Sequence, residues 1–239
     1  MADVSRKAEA QRPERVLLLH GIARTNRHMR SLERSLVQEG YDVLNVAYPS
    51  TRAPISVLAD FVAEKAADFI ETDRPLHIVA HSMGGLVTRA LLQRHRPKTL
   101  GRVVMLGTPN HGSEVADFLA RHAAYRWFYG PAGQELITGK LSEPAFADVA
   151  DFELGVIAGT RSIDPISSLI IRRPNDGKVS VESTRLAGMK EHLILPVTHT
   201  FMPQNPKVQA AVIRFLQTGS FHPKDRAFPL NASDAPARE

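Results

Sequence analysis

The sequence predicts an α/β protein with a mostly parallel sheet of about six strands and helices on both faces. Short apolar runs alternate with longer segments whose apolar residues recur at helical spacing, which is typical of βαβ units. At 239 residues the chain is long enough for one domain with a substantial core. No internal repeat interrupts this alternation.

The strands are predicted from apolar runs that end in turn residues. The first run, residues 16–19, reads Val-Leu-Leu-Leu and ends at His20-Gly21, as expected for a buried parallel strand. The other predicted strands are residues 43–46, 76–80, 103–106, 154–158 and 193–195.

Helices are predicted where apolar residues fall on one face. In the last of them, residues 208–216, positions i, i+3, i+4 and i+7 are Val208, Ala211, Val212 and Phe215. The other predicted helices are residues 28–38, 55–70 and 86–92.

One segment departs from this rhythm, and we interpret it as a small helical cap over the carboxyl edge of the sheet. Residues 113–150 are helical in composition and contain Tyr125, Trp127, Phe128 and Tyr129. These aromatic residues could line an acyl pocket, or they could simply pack the cap against the sheet. The folded domain is predicted to span residues 15–220, between a flexible segment at 1–14 and a disordered tail at 221–239.

Composition excludes several classes of protein. Cysteine is absent, so disulfides, zinc–thiolate sites and a cysteine nucleophile are excluded. The net charge of +5 is spread along the chain without a basic run, so nucleic acid is not an expected partner. The segment MADVSRKAEAQRPER is polar, and no stretch approaches the roughly 18 apolar residues of a membrane span. We therefore expect a cytoplasmic protein without integral membrane association, and the sequence leaves its oligomeric state open.

The strongest motif is Ala80-His81-Ser82-Met83-Gly84-Gly85, where a predicted strand runs directly into a predicted helix. A nucleophile elbow holds its serine in a strained conformation, with the hydroxyl exposed above the sheet. The residues two before and two after the serine must be small, and here they are Ala80 and Gly84. Ala80 departs from the pattern G-x-S-x-G but still meets the steric requirement. The alternative is a surface serine in a glycine-rich turn.

A serine nucleophile needs a histidine base, which in such a sheet lies in the loop after the last strand. His199 occupies that position, before the final helix. His192 is at the opposite end of the same strand, and His111 precedes the last two strands but could form a pocket wall. The remaining downstream histidines lie in predicted helices or the tail: His95, His122 and His222.

The acid that orients the base should follow the penultimate strand. Asp176 lies there in the turn Asn175-Asp176-Gly177, which projects a carboxylate and needs backbone freedom. Asp164 follows the same strand and is the alternative, although Pro165 after it also fits a simple turn.

An oxyanion needs two backbone N–H donors. Met83, directly after the nucleophile, supplies one by position, and we expect Ile22 in the loop after the first strand to supply the other. Gly21 is expected to permit that turn. His20 is interpreted as a structural hydrogen-bonding residue rather than as a second base.

With these residues assigned, the sequence resembles the small bacterial lipases and carboxylesterases of the α/β-hydrolase superfamily. The resemblance spans residues 15 to 217, and its matching segments are Leu19-His20-Gly21-Ile22, the motif around Ser82, Leu106-Gly107-Thr108-Pro109-Asn110-His111-Gly112-Ser113, Asn175-Asp176-Gly177 and His199. It implies an α/β-hydrolase fold and a Ser82–His199–Asp176 triad that hydrolyses small-molecule or lipid esters without a cofactor. Some relatives bind structural calcium, but no carboxylate cluster here is assigned to a metal.

The same residues leave other functions open. Acyl transfer, or hydrolysis of thioesters, lactones or amides, would use the same triad, because pocket shape selects the leaving group. A protein that kept the fold but only binds its ligand is the remaining alternative. An intact Ser82, Asp176 and His199 in the expected order favours an enzyme.

Overall fold

The structure is a computed structural model that describes residues 12–71, 73–138, 149–164, 170–171 and 173–223. Residues 1–11, most of the predicted tail (224–239) and residues 139–148 of the predicted cap lie outside the described residues. The limits predicted for the domain and the tail therefore stay predictions.

The sheet has six strands, and all five pairings between neighbours are parallel. The strands are β1 (Arg15–Leu19), β2 (Asp42–Val46), β3 (Leu76–His81), β4 (Leu100–Leu106), β5 (Leu154–Gly159) and β6 (Glu191–Leu195). Their order across the sheet is β2-β1-β3-β4-β5-β6. The predicted α/β fold is confirmed.

Seven α-helices surround this sheet within the described residues. They are α1 (Arg30–Gln38), α2 (Ile55–Lys65), α3 (Ala67–Ile70), α4 (Met83–Arg94), α5 (Glu114–Leu119), α6 (Ala123–Glu135) and α7 (Pro206–Thr218). Short 3₁₀ helices precede α1 and α7, at Asn26–Met29 and Met202–Gln204. No helix among the described residues is long and apolar enough to cross a bilayer.

Apolar side chains cover both faces of the sheet, as expected for a parallel sheet with helices on each side. On one face Leu17 and Ile78 pack with α2 and α4. On the other face Val16 and Val79 pack with α1 and α7. Because successive strand residues point to opposite faces, β1 to β5 contribute to both cores. The edge strand β6 contributes only to the second core, through Leu193 and Leu195.

The prediction of a single helix at 55–70 is wrong, because the helix breaks at Ala66. That residue has φ −108° and ψ +14° and joins α2 to α3. Two strands begin more than one residue earlier than predicted, β4 at Leu100 and β6 at Glu191. Their first residues include polar side chains, which a search for apolar runs passes over.

The strand order places the carboxyl ends of particular strands side by side. The chain reverses its direction of travel across the sheet at β1, whose neighbours are β2 and β3. In open α/β sheets, ligands bind outside the carboxyl ends of the strands at such a switch point. The loops after β1 and β3 therefore meet there, and the loops after β5 and β6 reach it across β4.

Candidate active site

Ser82 lies in a tight turn between β3 and α4. Its backbone has φ +56° and ψ −128°, a conformation that side-chain-bearing residues rarely adopt. A backbone hydrogen bond holds this turn against β4, because the Ser82 N–H donates to Leu106 O at 2.8 Å. The residue is 8% exposed, so it meets little bulk water.

Small residues make this turn possible. A Cβ added to Gly84 would lie 2.6 Å from Leu19 O, and one added to Gly85 would lie 2.1 Å from Thr108 Oγ1. Ala80 is fully buried in β3. The sequence argument for small residues around Ser82 agrees with these close approaches.

The structure brings Ser82, His199 and Asp176 together in one chain of contacts. His199 Nε2 lies 2.9 Å from Ser82 Oγ, and His199 Nδ1 lies 2.7 Å from Asp176 Oδ2. His199 follows β6 and Asp176 lies between β5 and β6, so both come from loops at the carboxyl edge. A further bond joins the two loops, in which the His199 N–H donates to Asp176 O at 2.9 Å.

The carboxylate of Asp176 is oriented by its own turn. Its Oδ1 accepts hydrogen bonds from the N–H groups of Lys178 at 3.0 Å and Val179 at 2.9 Å, while Oδ2 faces His199. Because an ionised carboxylate only accepts, His199 carries its hydrogen on Nδ1. Nε2 is then left to accept a hydrogen bond from the Ser82 hydroxyl.

The alternative candidates for the acid and the base make other contacts. Asp164 forms an ion pair with Lys178 at 2.9 Å. His192, near the start of β6, contacts Thr184 Oγ1 at 2.9 Å. His111 does not line the cavity at Ser82 but a separate groove with Glu114 and Asp117, so it is not a wall of that pocket.

The loop after β1 lies against Ser82. Gly21 does not adopt a positive φ, and what it provides is space, because a Cβ there would lie 3.0 Å from Ser82 Cβ. The left-handed residue of the loop is Ala23, with φ +51°. Within the described residues, the N–H groups of Ile22 and Met83 donate no hydrogen bond to another protein group.

His20 is a buried structural residue of this loop. Its ring stacks on Tyr48, with centroids 4.1 Å apart, and its Nδ1 contacts Gly21 O at 2.9 Å. The Tyr48 hydroxyl donates to His20 O. Burial lowers the pKa of His20, so the ring is neutral at neutral pH.

A cavity of about 280 Å³ opens beside Ser82. The loop of Ile22, Ala23 and Arg24 lines one side, and His199 with Thr200 lines another. Helices α5 and α6, which lie between β4 and β5, supply an apolar wall that includes Val115, Ala116, Leu119, Tyr125, Phe128 and Tyr129. Trp127 of the same segment is 85% exposed.

Comparison with known proteins identifies the family. Residues 16–212 match the α/β-hydrolase family. The chain belongs to this family. No curated protein matches the sequence. Family membership supports hydrolase activity for this α/β-hydrolase.

Three solved structures illustrate its fold. The mature form of a Bacillus licheniformis lipase superposes with a TM-score of 0.67 at 18% identity, over 88% of this chain and 93% of the lipase. Aspergillus fumigatus lipase B gives 0.64 at 16% identity, over 87% and 53% of the two chains. A phospholipase of Legionella pneumophila gives 0.63 at 18% identity, over 87% and 60%. At these identities the similarity shows the fold.

Sequence reasoning assigned no role to two glycines beside this site, although Gly107 falls within one of the matching segments. Gly107, directly after β4, has φ +57°, and a Cβ there would lie 3.0 Å from Asp176 Oδ2 and 3.1 Å from His199 Nδ1. A Cβ on Gly159, at the end of β5, would lie 2.7 Å from Asp176 Cβ. Gly107 follows the last residue of β4 and Gly159 is the last residue of β5, so both lie at the strand ends beside the Asp176–His199 pair. Their position at predicted strand ends was the available signal.

It also missed His81, the residue before Ser82. His81 is 2% exposed, and its Nε2 donates to His199 O at 2.9 Å. Its ring centroid lies 4.9 Å from that of His199 and 5.1 Å from that of His28. Burial, aided by these neighbouring imidazoles, holds the pKa of His81 well below its usual range, so the ring is neutral.

Proposed function

We propose that this α/β-hydrolase cleaves carboxylic esters through an acyl-enzyme intermediate on Ser82. The observation that carries the proposal is the continuous contact from Ser82 Oγ through the His199 ring to Asp176, at 2.9 Å and 2.7 Å. Nucleophile and base within hydrogen-bond reach, with a third group orienting the base, are the signature of nucleophilic catalysis.

In the first half-reaction Ser82 Oγ attacks the ester carbonyl carbon while its proton passes to His199 Nε2. The tetrahedral intermediate then expels the alcohol, which leaves with that proton, and the acyl group stays on Ser82. In the second half-reaction water attacks the acyl carbon and gives a proton to His199. The released Ser82 oxygen takes that proton, and the carboxylic acid departs.

The negative oxygen of each intermediate would be held by the N–H groups of Ile22 and Met83. Their lack of partners among the described residues supports this role. Removing one such donor typically costs about 10²- to 10³-fold in rate, so the two donors are central to the mechanism. His20 and Gly21 would support the Ile22 side, and Ala80 and Gly84 would support the elbow.

An ester substrate is supported by the surroundings of Ser82. The apolar wall of α5 and α6 suits a hydrocarbon chain, and the cavity of about 280 Å³ is near the lower end of small-molecule pockets. The similar solved structures named above include two lipases and a phospholipase. A cytoplasmic location stays a prediction from the sequence.

The test is hydrolysis of nitrophenyl esters of increasing acyl length by wild type and Ser82→Ala. We expect Ser82→Ala to lower kcat by about 10⁴- to 10⁶-fold, as loss of a triad nucleophile does. A fluorophosphonate probe should label wild type and not the variant. Ser35→Ala, which removes a hydroxyl from α1 away from the cavity, is the matched control and should match wild type in both assays.

Two outcomes would contradict the proposal. If Ser82→Ala keeps near wild-type activity, the assignment of Ser82 as the nucleophile is wrong. If folded wild type hydrolyses no ester and is never labelled by the probe, the proposed esterase function is wrong. Product analysis with an added alcohol reports transfer directly, because an acyltransferase would form the new ester in place of the free acid.

A further inference from the structure

The cavity at Ser82 has a cation at its mouth that the proposed ester hydrolysis does not use. Arg24 lines the cavity two residues after Ile22, and its side chain is exposed. Within the described residues the guanidinium has no carboxylate and no hydrogen-bond acceptor as a partner. The charge is therefore available to a ligand.

The described residues that line the rest of the cavity carry no negative charge; Asp176 is 2% exposed, and its carboxylate faces His199 and does not line the cavity. No aspartate or glutamate is among the described residues that line it. The second cation at its rim, Lys178, is held by Asp164 at 2.9 Å. His81 stays neutral because it is buried. A concave site with charge of one sign concentrates ligands of the opposite sign, so this cavity favours anions.

The volume and the apolar wall of the cavity restrict the size and the polarity of an anionic ligand that could bind there. Its volume of about 280 Å³ accommodates one small ligand, and the wall of Val115, Leu119 and Tyr129 is apolar. A two-chain lipid exceeds that volume. The combination of one apolar wall and one free guanidinium suits a small ester with a hydrocarbon part and a charged end.

We propose that Arg24 forms an anion subsite and that the preferred substrates are small carboxylic esters bearing a carboxylate. The inference rests on the proposed esterase function and names its substrate class. The planar guanidinium fork can bind a carboxylate through two parallel hydrogen bonds, which a neutral chain cannot use. Because Arg24 and the Ile22 donor line the same cavity as Ser82, an anion held at Arg24 keeps the ester carbonyl near Ser82.

The test compares esters of matched shape that differ only in charge. The nitrophenyl monoester of adipate carries the carboxylate on the acyl chain, and nitrophenyl 6-methylheptanoate is its neutral isostere. Acetoxybenzoate carries it on the alcohol, and isopropylphenyl acetate is its neutral isostere. Spontaneous hydrolysis is subtracted, and kcat/KM is measured for wild type, Arg24→Gln and Arg27→Gln. Arg27, also exposed, does not line the cavity and is the matched control.

We expect Arg24→Gln to lower kcat/KM for the anionic member of at least one pair by about 5-fold, the upper range for an exposed ion pair. The neutral member should be unchanged, Arg27→Gln should resemble wild type, and added salt should weaken the effect. Equal effects of Arg24→Gln on both members of both pairs, or no effect on any, would overturn the subsite while leaving the esterase intact. Wild type inactive on every ester would overturn both.

Discussion

The side chain of His81 donates a hydrogen bond to the backbone carbonyl of His199, with Nε2 and the oxygen 2.9 Å apart. His81 is the last residue of β3 and precedes Ser82, so the end of one strand carries the Ser82 hydroxyl and also holds the loop of His199. His199 is therefore held at its backbone oxygen by His81 and at its ring by Asp176, whose Oδ2 lies 2.7 Å from Nδ1. A ring that is held in this way needs little reorganisation when it accepts a proton.

His81→Phe should lower kcat about 5-fold with little change in KM, because a lost hydrogen bond of about 1 kcal/mol loosens the His199 loop without touching substrate. Steady-state kinetics on nitrophenyl esters provides the measurement. His81→Gln keeps a side-chain N–H and should recover part of the rate. Equal kcat for wild type and the phenylalanine variant would show that the bond has no role in turnover.

Asp176→Asn should lower kcat by about 10⁴-fold while the chain stays folded. An amide that presents its NH₂ group to His199 Nδ1 selects the tautomer with hydrogen on Nε2, which cannot accept the Ser82 proton. The acceptor for the Lys178 and Val179 N–H groups is retained, so the turn should persist. Asp164→Asn, at the ion pair with Lys178, provides the comparison. A larger loss of kcat for Asp164→Asn than for Asp176→Asn would reverse the assignment of the acid.

Gly107→Ala should impair both stability and kcat. The positive φ at this residue disfavours alanine by about 1–2 kcal/mol, and the new Cβ would press on Asp176 and His199 at 3.0–3.1 Å. Gly40→Ala is a matched control, because Gly40 has φ +90° and nothing within 4 Å of an added Cβ. We expect both variants to unfold at lower urea concentration and only Gly107→Ala to lose kcat. A loss of kcat in Gly40→Ala as well would attribute the effect to stability alone.

Stability should fall as the pH drops from about 6.5 towards 4. Burial lowers the pKa of His192 to about 4 from the ordinary value of 6.5. The unfolded chain then binds a proton in this range that the folded chain does not, so acid favours unfolding, by at most about 1.4 kcal/mol per pH unit for each such group. Well above pH 6.5 His192 is neutral in both the folded and the unfolded chain, so it no longer makes the free energy of unfolding depend on pH.

Urea unfolding at several pH values tests this dependence. His192→Gln keeps a polar side chain but cannot titrate, so its free energy of unfolding should change less steeply between pH 6.5 and 4 than that of wild type. His28, whose pKa burial also lowers to about 4, would account for part of the remaining slope. Identical slopes for wild type and His192→Gln would contradict the prediction.

Local patterns were sufficient to predict most of the fold. Strands β1, β3 and β5 are buried along their whole length apart from Arg15, so their sequences are nearly continuous apolar runs. Strand β6 lies at the edge of the sheet and is only partly buried, and its polar first residues concealed its start. The break at Ala66 has no glycine or proline nearby, so no residue type marks it.

The candidate site was predictable where one short segment carries its chemistry. Ser82 is predicted from a strand-to-helix turn with small flanking residues, and Asp176 and His199 are predicted from their positions after particular strands. Gly107 leaves room for a residue 69 positions later, because a Cβ there would lie 3.0 Å from Asp176 Oδ2. His81 donates to His199 O, 118 positions later, at 2.9 Å. Such contacts depend on which strands are neighbours, which the sequence pattern alone does not specify.

Ser82 and Ala23 are the two non-glycine residues with positive φ among the described residues, and both border the same cavity. A residue forced into such a conformation typically costs about 1–3 kcal/mol of folding free energy. A collection of variants selected only for survival on heating should therefore accumulate glycine at position 82, raising the melting temperature and abolishing turnover. Heat resistance and reactivity therefore place opposing demands on this turn. Substitutions meant to stabilise the protein without loss of turnover should be made at other positions.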